Sequence, residues 1–191
     1  MSEAAAATAG AAELDELTLK RAQRGEAAAC TALVKRYQRP VFAVVSRMLS
    51  PSGRRAAVED VAQETFLRVF RALPSFNLTG GAKLSTWILT IATRVTLNEL
   101  RKRAATGESL DELAAPPLGA PVELRALGRA IERAVGGLAP EYRAAFVLRE
   151  FHELSYEEIA RALDVDVGTV KSRLSRARAA LKSALAEVHH E

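Results

Sequence analysis

The stretch Leu154-Ser155-Tyr156-Glu157-Glu158-Ile159-Ala160-Arg161-Ala162-Leu163, then Asp164-Val165-Asp166, then Val167-Gly168-Thr169-Val170-Lys171-Ser172-Arg173-Leu174-Ser175-Arg176-Ala177-Arg178, decides the fold. Ser155 and Glu158 stand three apart ahead of an apolar run, so hydroxyl and carboxylate can satisfy opposite orphan amides as a capping box. The short helix they open buries Ile159, Ala160 and Leu163, and small Ala160 permits the close approach of a helix-turn-helix. Asp164 to Asp166 makes the turn, with Val165 plugging the angle between helices. The second helix buries Val170, Leu174, Ala177 and Leu181, which turns Thr169, Ser172, Arg173 and Arg176 outward on one stripe. A helix so decorated fits the major groove, where arginine pairs bidentately with guanine O6 and N7. Lys171, Ser175, Arg178 and Lys182 flank the stripe, the cations being suited to phosphates. A solvated basic surface helix would carry the charges without the box, the small residue and the turn in this order.

Outward from that motif the apolar spacing stays helical, and no segment shows sustained strand alternation between hairpin turns. An all-α fold of two small helical domains is expected, the second being the helix-turn-helix domain. Residues 1–13 read as a disordered tail and 14–104 as the first domain. Leu14, Leu17, Ala22, Leu33, Tyr37, Val41, Val45 and Leu49 predict two helices with a break near Gly25, ended by Pro51, Ser52 and Gly53. A helix over Val58 to Leu73 stops at Pro74, a loop carries Gly80 and Gly81, and a long helix runs from Ser85 to about Arg103. Residues 105–121 hold Pro116, Pro117, Gly119 and Pro121 with Glu108, Asp111 and Glu112 and no basic residue, so they read as a flexible acidic linker. The second domain, 122–188, lines Leu124, Leu127, Ile131 and Val135 on one face, and Pro140 suits the first position of the next helix, which carries Tyr142, Phe146 and Val147.

At 191 residues, with 26% charged and 49% hydrophobic, the composition is that of a globular chain. The net charge is +4 and the pI about 9.5, which fits a polyanionic partner. The single cysteine, Cys30, excludes an intrachain disulfide and reads as a buried thiol in an Ala-rich helix. Met1 to Ala12 has Glu3 and no basic segment, unlike a secretory signal, and no apolar run approaches the ~18 residues of a membrane span. A cytoplasmic protein is expected. His152, His189 and His190 lack the neighbours of a metal site, so neither metal nor other cofactor is expected.

The residues quoted at the outset resemble, nearly one for one, the −35-reading region of extracytoplasmic-function sigma factors, the small initiation subunits of bacterial RNA polymerase. Glu59-Asp60-Val61-Ala62-Gln63-Glu64-Thr65-Phe66-Leu67 is similar to that family's helix that docks on the clamp helices of the polymerase β′ subunit. The resemblance implies that Asp60, Gln63, Glu64 and Leu67 face the polymerase. Read alone, Asp60 and Glu64 are like charges one turn apart, either a solvated face with Glu64 paired to Arg68 or a surface awaiting a basic partner. Ser85 to Ala92 resembles the start of the family's −10-reading helix, on which Lys83, Trp87, Arg94, Asn98 and Arg101 would meet promoter DNA. By its own surroundings Trp87 reads better as core, since Leu84, Ile88, Ile91 and Val95 share its neighbourhood. The loop from Phe76 to Lys83 matches the family's loop that holds an extruded base. This chain has Arg94 where the family commonly has Asn, and Asn98 where it often has Asp.

The resemblance implies core RNA polymerase and promoter DNA as partners, together with an anti-sigma factor, and a non-enzymatic role. Two other classes compete. An operator-binding helix-turn-helix regulator would bind duplex DNA tightly by itself, and a helical enzyme would need acids, bases or ligands clustered in the first domain. Asp60 and Glu64 on an open face make a poor catalytic site.

Overall fold

Asp15 opens the first helix: its carboxylate accepts the Thr18 amide at 2.9 Å, and α1 runs Glu16–Gln23. Gly25 then takes a left-handed conformation (φ 79°), which a Cβ would strain, and lets the chain reverse into α2, Ala27–Leu49. In this computed structural model the described residues are 13–49, 57–77, 81, 83–106, 128, 130–131 and 133–188. They form an all-α fold. After α2 come α3 (Ala57–Ala72), a 3-10 turn (Leu73–Ser75) and α4 (Leu84–Thr106). The second half contributes α5 (Pro140–Glu150), α6 (Tyr156–Leu163) and α7 (Val167–Val188), with Pro140 in the first turn of α5 as its missing amide favours.

The helix α2 is the centre of the first half, packed by α1, α3 and α4. Its Leu33, Val41, Val44, Val45, Met48 and Leu49 are fully buried. Burial on this scale, at about 1.5–3 kcal/mol per large side chain, carries the helix through Pro40 despite the lost backbone bond. Thr65, Thr93 and Thr96 are buried too, each hydroxyl donating to the carbonyl one turn back, so no polar atom is stranded there.

The two halves do not stand apart. Helices α2 and α4 pack on α5, α4 also packs on α6, and apolar residues of both halves share one buried cluster. Tether length and composition say nothing about such a contact, which depends on the shapes of two surfaces far apart in sequence.

Several expectations need correction. Leu17 is exposed and Leu19 buried, so α1 is rotated from the face its leucines suggest. Ile131 is exposed, while Val135 and Leu138 are buried against Ala177 and Leu181. In α6 the buried residues are Ile159, Ala160 and Ala162, with Leu163 half-buried, because α6 lies between α4 and α7 and has two covered sides. Cys30 is only half-buried, its thiol donating weakly to the Ala22 carbonyl at 3.8 Å. The helix expected to end near Arg103 continues to Thr106, as Ala104 and Ala105 allow. Residues 1–12, Pro51 to Gly53, Gly80, the rest of the expected linker from 107, Leu124, Leu127, His189 and His190 lie outside the described residues.

Candidate nucleic-acid interface and docking helix

The helix-turn-helix forms as its residues dictate. Ser155 Oγ accepts the Glu158 amide at 3.2 Å, and Glu158 Oε2 accepts the Ser155 amide at 2.8 Å, completing the capping box. Asp164 ends α6 in a left-handed conformation (φ 55°), tolerable for a short polar side chain. Asp166 then caps α7, its carboxylate accepting the amide and the hydroxyl of Thr169, both at 2.7 Å. Those bonds hold the Asp166 carboxyl below the usual range. A Cβ at position 168 would lie 2.9 Å from Asp166 Oδ1, so Gly168 is what lets the cap close.

On α7, Val170, Leu174, Ala177 and Leu181 are buried as the spacing predicts. Lys171, Ser172, Ser175, Arg176, Arg178 and Lys182 are exposed, with Arg173 half-buried at the same face. Thr169 is half-buried and its hydroxyl is committed to the cap. Arg176 Nη1 donates to the Tyr142 hydroxyl at 2.9 Å, and Arg178 Nη2 meets Glu150 Oε1 at 2.7 Å, which raises the pKa of the Arg178 guanidinium. Both arginines are thus aimed by α5. Sequence spacing missed Tyr142 and Glu150 in this role, since each lies more than 25 positions from its partner.

On α3, Val58, Val61, Ala62, Thr65 and Val69 face the core, while Asp60, Gln63 and Leu67 are exposed on the opposite stripe. Glu64 is half-buried and accepts Arg68 Nε at 2.7 Å, a bond that holds its carboxyl below the usual range. The acidic stripe therefore exists, with Glu64 in the one-turn pair that the residues allowed.

Lys83, just ahead of α4, and Arg94, Asn98 and Arg101 on it are exposed. Trp87 is half-buried, its ring 4.8 Å from that of Phe76, so it stands between core and surface. Phe76 itself is held by Gln23, whose amide donates to the carbonyls of Leu73 (3.0 Å) and Phe76 (2.8 Å). Nothing in the periodicity marks Gln23 as an anchor of that loop. The start of α4 is tied by Glu13, whose carboxylate accepts the Ser85 amide at 3.2 Å and the Ser85 hydroxyl. Tyr37 donates to the same carboxylate at 3.1 Å, and burial pushes its pKa up to about 12. Arg94 does not project freely: its Nε and Nη2 donate to the carbonyls of Ala162 (2.9 Å) and Arg161 (3.0 Å) on α6.

A basic recognition helix on a capped helix-turn-helix, carried behind a helical domain with an acidic stripe, defines a DNA-binding transcription protein. Residues 33–106 match the family Sigma-70 region 2, and residues 128–181 match Sigma-70, region 4. The ECF RNA polymerase sigma-E factor of Escherichia coli (strain K12) is 37% identical over 184 residues, covering 87% of this chain and 92% of its own. The RNA polymerase sigma-H factor of Pseudomonas aeruginosa is 33% identical over 187 residues, covering 91% and 94%. Among solved structures, the sigma factor RpoE of Bartonella quintana, crystallised with the anti-sigma factor NepR, superposes with a TM-score of 0.65 at 26% identity, covering 81% of this chain and 96% of its own. The chain belongs to the extracytoplasmic-function sigma factors of the sigma-70 family. As such it is an alternative sigma factor that directs RNA polymerase to promoters.

Proposed function

We propose that the chain divides promoter recognition between its halves and joins them through the polymerase. In this reading Asp60, Gln63, Glu64 and Leu67 dock on the β′ clamp helices, a basic surface that would neutralise the acidic stripe. Lys83, Trp87, Arg94, Asn98 and Arg101 serve the −10 element. Thr169, Lys171, Ser172, Arg173, Ser175, Arg176 and Arg178 serve the −35 element. Arg173 and Arg176 are the base readers and Lys171 and Arg178 the phosphate contacts, with Thr169 acting through the cap. The observation that carries this division is the outward face of α7, where Lys171, Ser172, Arg176 and Arg178 are exposed together on a helix fixed at its start by Asp166.

The work is binding followed by strand separation, with no chemistry of its own, in the cytoplasm. A cognate anti-sigma factor belongs to the same reading, because the solved relative RpoE was crystallised with the anti-sigma factor NepR. Run-off transcription with sigma-free core polymerase over a promoter library tests it. The expected result is initiation only from templates with a defined pair of elements. Specific duplex binding by the chain alone, with no effect on initiation, points instead to an operator-binding regulator.

A further inference from the structure

The cations on the outward side of α7 do not all have the same kind of partner. Arg178 ends on a carboxylate: Glu150 Oε1 accepts its Nη2 at 2.7 Å and its Nε at 3.3 Å. Arg176 ends on an uncharged group, the Tyr142 hydroxyl at 2.9 Å, with its guanidinium 5.9 Å from the centre of the same ring. Lys171 also acts on a carboxylate. Glu157 of α6 is exposed, and its own amide, the Ser155 hydroxyl and then the Lys171 and Arg161 cations hold its carboxyl below the usual range. The two residues assigned above to phosphate thus each have a carboxylate on a neighbouring helix, whereas Arg176, assigned to a base, is held by a neutral hydroxyl.

Stability does not account for Glu150. It is the last residue of α5, at the negative end of that helix's dipole, where a carboxylate is disfavoured. The side chains keep much of their exposure, 38% for Glu150 and 50% for Arg178, and an ion pair so wetted contributes little to folding. Its consequence falls on DNA binding. Arg178 can offer a phosphate the edge that Glu150 leaves free, which holds the carboxylate beside the phosphate. Alternatively it turns from Glu150 and leaves that carboxylate unpaired in front of a polyanion. Both routes lower affinity. An arginine already balanced by a carboxylate also neutralises a phosphate less completely, so fewer condensed cations leave the duplex.

We propose that Glu150 is a built-in competitor of the DNA backbone: its carboxylate shares Arg178 with the phosphate and so sets how firmly α7 holds any duplex, whatever its sequence. The proposal rests on the assignment of Arg178 to phosphate given above. Base reading by Arg176 escapes this competition, because the Tyr142 hydroxyl carries no charge to be left unpaired when the guanidinium moves to a base. The grip on the backbone is held down while the reading of bases is left whole.

Fluorescence anisotropy of the full-length chain on short duplexes of several sequences, over a salt series, tests this. Glu150→Gln keeps the size of the side chain and removes its charge. It should tighten binding about fivefold on every duplex and steepen the slope of log affinity against log salt by about 0.9, the equivalent of one further phosphate contact. Arg178→Ala should weaken binding on every duplex, and in that background the gain from Glu150→Gln should shrink to less than about twofold. Circular dichroism and Tm, nearly unchanged in each variant, separate these effects from unfolding. If Arg178→Ala weakens binding but Glu150→Gln gives no gain, or a loss, the competition is overturned and Glu150 only aims the arginine. A change confined to one sequence overturns it as well and makes Glu150 a base reader, accepting from a cytosine amino group. Arg178→Ala without effect on any duplex removes the phosphate assignment itself, and the proposal with it.

Discussion

Arg176 shows how much of a contact is arranged before any ligand arrives. Its guanidinium is held by the Tyr142 hydroxyl at 2.9 Å, which limits the rotamers it must give up on reaching a base. Arg176→Ala should cost about 1–3 kcal/mol of −35 binding and relax selectivity at one position. Tyr142→Phe keeps the ring and removes only the hydroxyl, so it should lose a fraction of that, about 0.5–1.5 kcal/mol, at the same position. Binding measured with holoenzyme on single-position promoter variants checks both; loss spread evenly over all positions would mean Arg176 contacts phosphate. His152 gives a different residue-scale expectation. It is buried beside Phe151, and burial, then the Arg47 cation, push its imidazole down to about 4. The unfolded ring titrates near 6.5, so the folded state binds the proton less readily. The stability tied to the neutral ring is full above about pH 6.5 and is lost as pH falls toward 4. His152→Leu should flatten the decline of Tm across that window relative to the parent, and parallel profiles for the two chains would refute the assignment.

At the scale of elements, α3 offers the cleanest separation of folding from function. Its core side is closed by Val58, Val61, Ala62, Thr65 and Val69, while Gln63 is exposed and Glu64 pairs with its neighbour Arg68. Gln63→Ala with Glu64→Lys should therefore abolish co-purification with core polymerase and leave helicity and Tm nearly unchanged. Retention of core binding at the parent level would move the docking face elsewhere. This helix was legible because its period is strict and both its faces are unambiguous. The helix-turn-helix was legible for a local reason: capping box, turn and cap each lie within a few residues, so the bonds Ser155–Glu158 and Asp166–Thr169 follow from adjacency. Legibility fell where a helix has more than one covered side. Alanine at 162 is buried and leucine at 163 only half so, because α4 covers a side of α6 that no amphipathic pattern advertises.

For the whole molecule, two small DNA-reading surfaces, each with few contacts, lead to weak intrinsic DNA binding. The purified chain should bind duplex promoter with strong salt dependence and little sequence preference, and gain specificity only with core polymerase. Fluorescence anisotropy over a salt series, with and without core enzyme, measures this. Tight, specific binding by the chain alone would contradict it. By itself the sequence determined the helices, their caps, the basic face of α7 and the acidic stripe of α3, since each depends on residues within a few turns of one another. Only the tertiary structure decided where Arg94, Arg143, Thr86 and Gln23 spend their hydrogen bonds, because their partners lie 68, 95, 72 and 50 or more positions away. Those bonds end on backbone carbonyls or on an already engaged carboxylate, groups that nearly every stretch of chain can present, so no residue pattern singles them out before the halves are packed together.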